Sequence, residues 1–337
     1  MNKGVVYGMG LAVLTVLLLV LNLTTGSVRI PMEDVVAVLT CDDAGVKDSW
    51  RYIVREVRLP EAVTALLAGA ALAVSGLLLQ TAFRNPLAGP DVFGINSGAG
   101  LAVALVMLGM GGTVSAGGYT LAGFVAVLLS SFVGAMAVTG IIFLFSTMVR
   151  NNVMLLIIGI MIGYLASSAV SLLNFFATEE GVKSYMMWGM GSFGNVSTDN
   201  LPVFTVVSIV GLLAAVALVK PLNALLLGEQ YAENLGVNTR RMRHVLLVVT
   251  GILTANVTAF CGPVAFIGLA TPHVARLLLT TDNHRRVLPV TMLLGAVIAL
   301  LCNLVCYAPG ENGIIPLNAV TPLLGAPVII YVLLKGK

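Results

Sequence analysis

The sequence predicts an all-α, polytopic membrane protein with about ten transmembrane helices and both termini cytoplasmic. Three observations carry that reading. Of 337 residues, 58% are hydrophobic and only 10% charged, with 36 glycines besides and a mean hydropathy of +1.01. Soluble domains carry about 25% charged residues, so a soluble enzyme of this size could not hide so much apolar surface. Charge-poor stretches near the roughly 20 residues that cross a hydrocarbon core recur along the whole chain. Lysine and arginine, finally, divide unevenly between alternate loops.

The elements follow in order. Lys3 precedes Val5–Leu23 as a base precedes a secretion signal. That apolar run is longer than a signal's and no small-x-small cleavage site follows it, so it is read as an uncleaved span. Residues 24–58 form an outer loop with a short helix from Pro31, its first turn carrying Glu33 and Asp34. Spans are expected at Leu59–Phe83, Val92–Met110, Tyr119–Val149 and Val153–Phe176. The third of these is long, about 46 Å as a helix, and is expected to tilt or to project past the bilayer. A Gly- and Met-rich outer segment, Ala177–Asn200, leads to Leu201–Val219. Residues 220–243 form a cytoplasmic segment. The last spans are His244–Cys261, Pro263–Leu279, Val287–Tyr307 and Leu317–Leu334, the first two parted only at Gly262-Pro263. Residues 1–337 thus make a single transmembrane domain.

Orientation comes from the bases. With the N-terminus inside, the inner loops hold Lys3, Arg84, Arg150, Lys220, Arg240, Arg241, Arg243, Arg276, Arg285, Arg286, Lys335 and Lys337. Only Arg29, Lys47, Arg51, Arg55, Arg58 and Lys183 fall outside, where most of the acids lie.

Several function classes are excluded or weakened. The net charge of +3 is spread without a basic run, so no nucleic-acid partner is expected. Cys41, Cys261, Cys302 and Cys306 show no metal spacing, and no metal site is expected. No H-E-x-x-H and no phosphate-binding G-x4-G-K-S/T loop is present, so the chain neither cleaves peptides by that route nor binds ATP itself. No Asp, Glu or Lys lies deep in a span, whereas proton- and voltage-driven machines use such groups. Mid-span polarity comes from Gln80, Asn174, Asn256 and Asn303, the last two read as interhelical hydrogen-bonding groups. Gly159, Gly163, Ser167 and Ser171 form a small-residue stripe, as do Gly69, Ala73 and Gly76. Such stripes permit close helix packing; the first would also suit a helix that lines or gates a pathway. The segment "PLNALLLGEQYAENLGVNTRRMR" offers an apolar turn, a Gly break and a helix with Glu229 and Glu233. It suits either docking on a cytoplasmic partner or an amphipathic connector on the membrane surface.

Four pieces, in order, resemble the permease subunits of type II ABC importers, the family that carries iron–siderophore chelates, haem and vitamin B12. They are "RLPEAVTALLAGAALAVSGLLLQTAFRNPLAGPDVFGINSGAG", "GEQYAENLG", "CGPVAFIGLATPHVARLLLTTDNHRRVLP" and "TPLLGAPVIIYVLL", within a likeness from about Val57 to Leu334. The resemblance implies an importer permease rather than an enzyme, set in the bacterial inner membrane among its lipids. It implies alternating access between two copies, two cytoplasmic ATPase subunits holding ATP and Mg, and a periplasmic or lipid-anchored substrate-binding protein. No cofactor is implied on this chain. A stand-alone secondary transporter or channel is the alternative.

Residue by residue, the resemblance places ATPase coupling at Pro221–Leu227 and Glu229–Gly236, through Leu225, Gly228, Glu229, Ala232, Leu235 and Gly236. It places the cytoplasmic gate at Asn151 and Asn152, just before the span whose small-residue stripe, with Gly159, Gly163 and Ser167, suits a pathway or gating helix. Binding-protein docking falls to Arg51, Arg55 and Arg58. The chain departs from the family pattern at Glu61 and Tyr307, where relatives often carry arginine, and at Ile314, where they carry Glu.

Overall fold

The computed structural model describes residues 3–40, 45–111, 113–116, 119–149, 152–309 and 313–335. α1 is Lys3–Thr24; α2, Met32–Leu39, follows Pro31 and holds Glu33 and Asp34 in its first turn, where the helix dipole favours them. α3 (Asp48–Tyr52) passes through π-type turns at Ile53–Arg58 directly into α4 (Leu59–Phe83), with Pro60 in the first turn of α4. α5 (Ile95–Ala104) is short and continues in π-type turns to Gly109.

Thr113–Ala116 (β1) and Tyr119–Ala122 (β2) pair antiparallel, Thr113 opposite Ala122 and Ala116 opposite Tyr119. Among the described residues this hairpin is the one departure from an all-α fold. It corrects the over-long candidate at Tyr119–Val149, whose first four residues are strand rather than tilted helix. Gly123, at φ 61°, turns the chain into α6 (Gly123–Met148).

α7 (Asn152–Phe176), α8 (Glu179–Gly189) and α9 (Leu201–Ala217) come next. α9 bends by 50° into α10 (Val219–Leu226). α11 (Glu229–Asn234), α12 (Thr239–Cys261), α13 (Ile267–Leu279), α14 (His284–Cys306) and α15 (Leu317–Lys335) complete the chain.

The result is a multi-pass membrane architecture. Among the described residues six helices are long and apolar enough to cross a bilayer, seven if α9–α10 is one bent span. Three shorter apolar helices, Ile95–Gly109, Ile267–Leu279 and Leu317–Tyr331, occupy the other candidate positions. α13, at 13 residues, rises about 20 Å, less than a hydrocarbon core of about 30 Å. Irregular backbone supplies the rest: residues 85–94 lead into α5 and residues 262–266 into α13. Both stretches pack against protein, where non-helical backbone is tolerated at membrane depth.

α4 is the axis of the core, with 89% of its most apolar window buried, against 17% for α7 and 11% for α1. Its small-residue stripe explains the difference. A Cβ added at Gly69 would fall inside the Gly295 carbonyl group of α14, and one at Gly76 inside the Gly268 carbonyl of α13. The backbones touch there, so α4, α13 and α14 interlock. Interhelical amides add to this. Asn256 Nδ2 donates to Phe204 O (3.2 Å) and Ser208 Oγ (3.0 Å) of α9, and Asn303 Nδ2 to Asn22 Oδ1 of α1 (2.9 Å).

Candidate coupling segment, gate and docking face

The coupling segment begins where α9 bends. Leu222 and Leu225 fall on one face of α10 and are buried, while Leu226 and Leu227 on the other side are 42% and 63% exposed. Gly228, at φ 120°, breaks the helix, and α11 follows with Tyr231 and Leu235 exposed and Ala232 completely buried. Gly236, at φ 83°, ends the motif with open space beside its Cα. The turn is closed by Val237 N–H donating to Ala232 O (2.9 Å) and by Thr239 Oγ1 donating to Glu233 Oε1 (2.7 Å). A surface hollow of about 450 Å³, lined by Glu233, Gly236, Asn238 and Arg240, lies beside it.

Two of the expected coupling residues are buried in this chain. Leu225 and Ala232 face the protein's own core, because a short amphipathic helix must bury one apolar stripe. Leu227, Tyr231, Leu235 and Gly236 are the positions a partner could touch.

Of the expected gate, Asn151 lies outside the described residues, and Asn152 is described only as the first backbone position of α7. The stripe on α7 divides. At Gly159 a Cβ would meet the Phe93 Cα at 2.8 Å; at Gly163 it would make ordinary contact with Ser97 Oγ at 3.4 Å; Ser167 is exposed. So Gly159 seats α7 against the irregular stretch before α5, Gly163 lies beside Ser97 of α5, and Ser167 and Ser171 are exposed on this chain.

The docking arginines are rearranged most. Arg58 is only 5% exposed. Its Nη1 donates to Leu23 O (2.9 Å) and Thr24 O (3.0 Å), and its Nη2 to Val28 O. All three acceptors belong to the end of α1 and the loop after it, so Arg58 braces that loop and presents no fork to a partner. Arg51 pairs with Asp48 (3.0 Å), and Arg55 Nη2 donates to Val38 O (3.2 Å).

The two departures from the family's arginine pattern turn out to be partners. Tyr307 Oη, at the end of α14, donates to the Glu61 carboxylate of α4, at 2.8 and 3.0 Å from its two oxygens. Sequence reasoning treated them separately. The paired departure was the available signal, but only the fold brings positions 61 and 307 together.

Asp91 was also missed as a deep group. Its carboxylate accepts the Phe266 N–H (3.2 Å) and the Asn96 side-chain amide, and Thr258 Oγ1 donates to Asn96 Oδ1 (2.8 Å). Its neighbour Pro90 reaches Gly268, which packs on Leu72 and Gly76 along α4. An acid therefore lies within the bundle, in a non-helical segment that span-by-span reading passes over.

Comparison with known proteins identifies the family. The vitamin B12 import system permease protein BtuC of Salmonella typhimurium is 36% identical over 283 residues, 83% of each chain. That of Klebsiella pneumoniae is 33% identical over 330 residues, covering 97% of this chain and 93% of its own. A solved chain described as an inward-facing conformation of a metal-chelate type ABC transporter superposes with a TM-score of 0.83 at 31% identity. That match covers 97% of this chain and 98% of the other. Fold and comparisons together define a permease subunit of the type II ABC importers, a transport component rather than a catalyst. Within that class the chain belongs to the FecCD transport family, whose sequence profile matches residues 14–335.

Proposed function

We propose that this chain is the membrane permease of an ATP-driven importer for a large chelate: an iron–siderophore complex, haem, or vitamin B12 or a related corrinoid. Two copies enclose a pathway that opens alternately to either side. The pair sits in the bacterial inner membrane with both termini of each chain in the cytoplasm. Two ATPase subunits, which carry ATP and Mg, press on the α10–α11 segment, and a substrate-binding protein docks outside. The transmembrane domain spans the whole chain, with 24–58 as its outer loop and 220–243 as its coupling segment.

The observation that carries this reading is the α10–Gly228–α11 motif. One apolar face is spent on the chain's own core, while Leu227, Tyr231 and Leu235 remain exposed beside an open glycine. A connector resting on lipid has no use for a hollow at Gly236, whereas a docking partner does. The relatives' names support both a corrinoid and a metal chelate as cargo.

The test is reconstitution with a candidate ATPase subunit of the same family of importers. Vesicles holding the complex and the binding protein should accumulate a radiolabelled chelate only with internal or external ATP on the ATPase side. Cyanocobalamin, a ferric hydroxamate and haem are to be tried in parallel. Uptake without the ATPase would support a stand-alone transporter or channel and overturn the proposal.

A further inference from the structure

Two sets of hydrogen bonds fasten α10 to the helices above it. Arg84, the left-handed residue that closes α4 (φ 47°), donates from Nη2 to the Leu225 carbonyl at 2.7 Å. Asn223, two residues earlier in α10, reaches α14. Its Nδ2 donates to Asn283 Oδ1 (3.1 Å), and its Oδ1 accepts the His284 backbone N–H (2.8 Å) and faces His284 Nδ1 at 3.2 Å. His284 is 1% exposed and meets Thr81 Oγ1 of α4 through Nε2 at 2.9 Å.

The proton positions follow from the acceptors. Asn283 holds the Asn223 amide with its oxygen toward His284, so Nδ1 of a neutral imidazole carries the proton; Nε2 is left as an acceptor for the Thr81 hydroxyl, whose proton it shares with the Leu77 carbonyl at 2.8 Å. A continuous hydrogen-bonded link then runs from α10 through the start of α14 to the end of α4.

The upper end of this link does not slide. α4 and α14 meet backbone to backbone at Gly69 and Gly295, and packed cores respond to displacement by moving as bodies rather than by bending. Below, Phe83 of α4 lies on Phe93 with ring centroids 4.6 Å apart, and Phe93 is the residue on which Gly159 of α7 rests. Displacement of α10 thus has a route to α7 through α4 and residues 85–94.

We propose that Asn223, His284 and Arg84 are positioning residues for transport, making α10, α4 and α14 move as one body so that pressure on α10 reaches α7. This rests on the importer reading above. Coupling claims need a measured coupling, not adjacency, and two measurements supply it.

The first uses the complex with its ATPase in vesicles. Arg84→Ala with Asn223→Ala should leave ATPase co-purification and ATP hydrolysis within about twofold of the parent, while uptake falls at least tenfold. The ATP used per substrate carried therefore rises tenfold or more. Asn223→Asp keeps the oxygen that accepts from His284 and should recover uptake to within about threefold when Arg84 is retained. A purely structural role would lower hydrolysis, assembly and uptake together. That result, or an unchanged ATP-to-substrate ratio, overturns the proposal.

The second keeps all three residues and so stands even where the variants fail to assemble. Spin labels at Leu226→Cys with Arg285→Cys should report the same distance with and without ATP, while Leu226→Cys with Met154→Cys on α7 should shift. A change in the first pair overturns the single body. Should neither pair respond to ATP while hydrolysis proceeds, the tether proposal fails; should no ATPase associate with the parent protein, the importer reading fails first and takes the tether with it.

Discussion

Arg58 shows how one side chain can change role between a sequence and its fold. At the start of a span, an arginine reads as a hand held out to a partner. Here its stem is buried and its fork closes on three carbonyls that leave the end of α1. Removing a buried donor strands its acceptors, at a cost of about 1–3 kcal/mol. Exposed ion pairs contribute under about 1 kcal/mol. Arg58→Ala should therefore lower the melting temperature measurably in detergent, whereas Arg51→Ala, which breaks a surface pair with Asp48, should shift it less. Equal melting temperatures for the two variants would mean that Arg58 does not brace the loop. Partner binding by Arg51→Ala then reports docking alone, free of a stability defect.

At the scale of elements, the long helices were legible and the broken ones only partly so. α4, α6, α7, α12 and α14 end close to the limits of their apolar runs, because composition decides how much of a helix sits in hydrocarbon. The hairpin at Thr113–Ala122 was not legible: its β2 strand, Tyr119–Ala122, carries no charge and runs straight into an apolar helix, so a charge-poor stretch takes in both. The inward turn of Ala232 and Leu225 was hidden for a related reason, since a six- or eight-residue helix has too few turns for periodicity to say which face is core. Asp91 and the Tyr307–Glu61 pair depend on contacts far apart in the chain. The stripe on α7 was visible, yet only the structure separates its members. Gly159→Ala would press into the Phe93 backbone, and overpacking costs about 1–3 kcal/mol. Gly163→Ala would meet nothing closer than ordinary contact. A tenfold shift in a two-state equilibrium needs only about 1.4 kcal/mol. Uptake should thus fall several-fold for Gly159→Ala with assembly retained, and stay near the parental rate for Gly163→Ala. Identical uptake rates would remove Gly159 from any gating role.

For the whole molecule, sidedness is the property that decides every other assignment. The distribution of bases favours α8 and its neighbouring turns outside and the α10–α11 segment inside, as proposed above. Cysteine introduced at the exposed Thr198 should react with a membrane-impermeant reagent in intact cells, and cysteine at Leu235, which is 64% exposed, should react only after permeabilisation. The reverse pattern would invert the protein. The same view explains α7, which is largely uncovered in one chain while α4 is almost wholly enclosed. A helix so exposed and so apolar has to face lipid, a second copy, or both.

The shortness of α13 has a consequence for how the chain is made. Thirteen residues containing a proline, a histidine and an arginine carry too little hydrophobic free energy to partition into a bilayer as they leave the translocon. α12 and α14 do carry enough. α13 and the irregular stretch before it must therefore be drawn in after synthesis has passed them, once α14 has arrived and the glycine contacts with α4 can form. Membrane insertion of this region is then expected to be late and cooperative, and a nascent chain halted after Leu279 should still leave it accessible to an aqueous cysteine reagent.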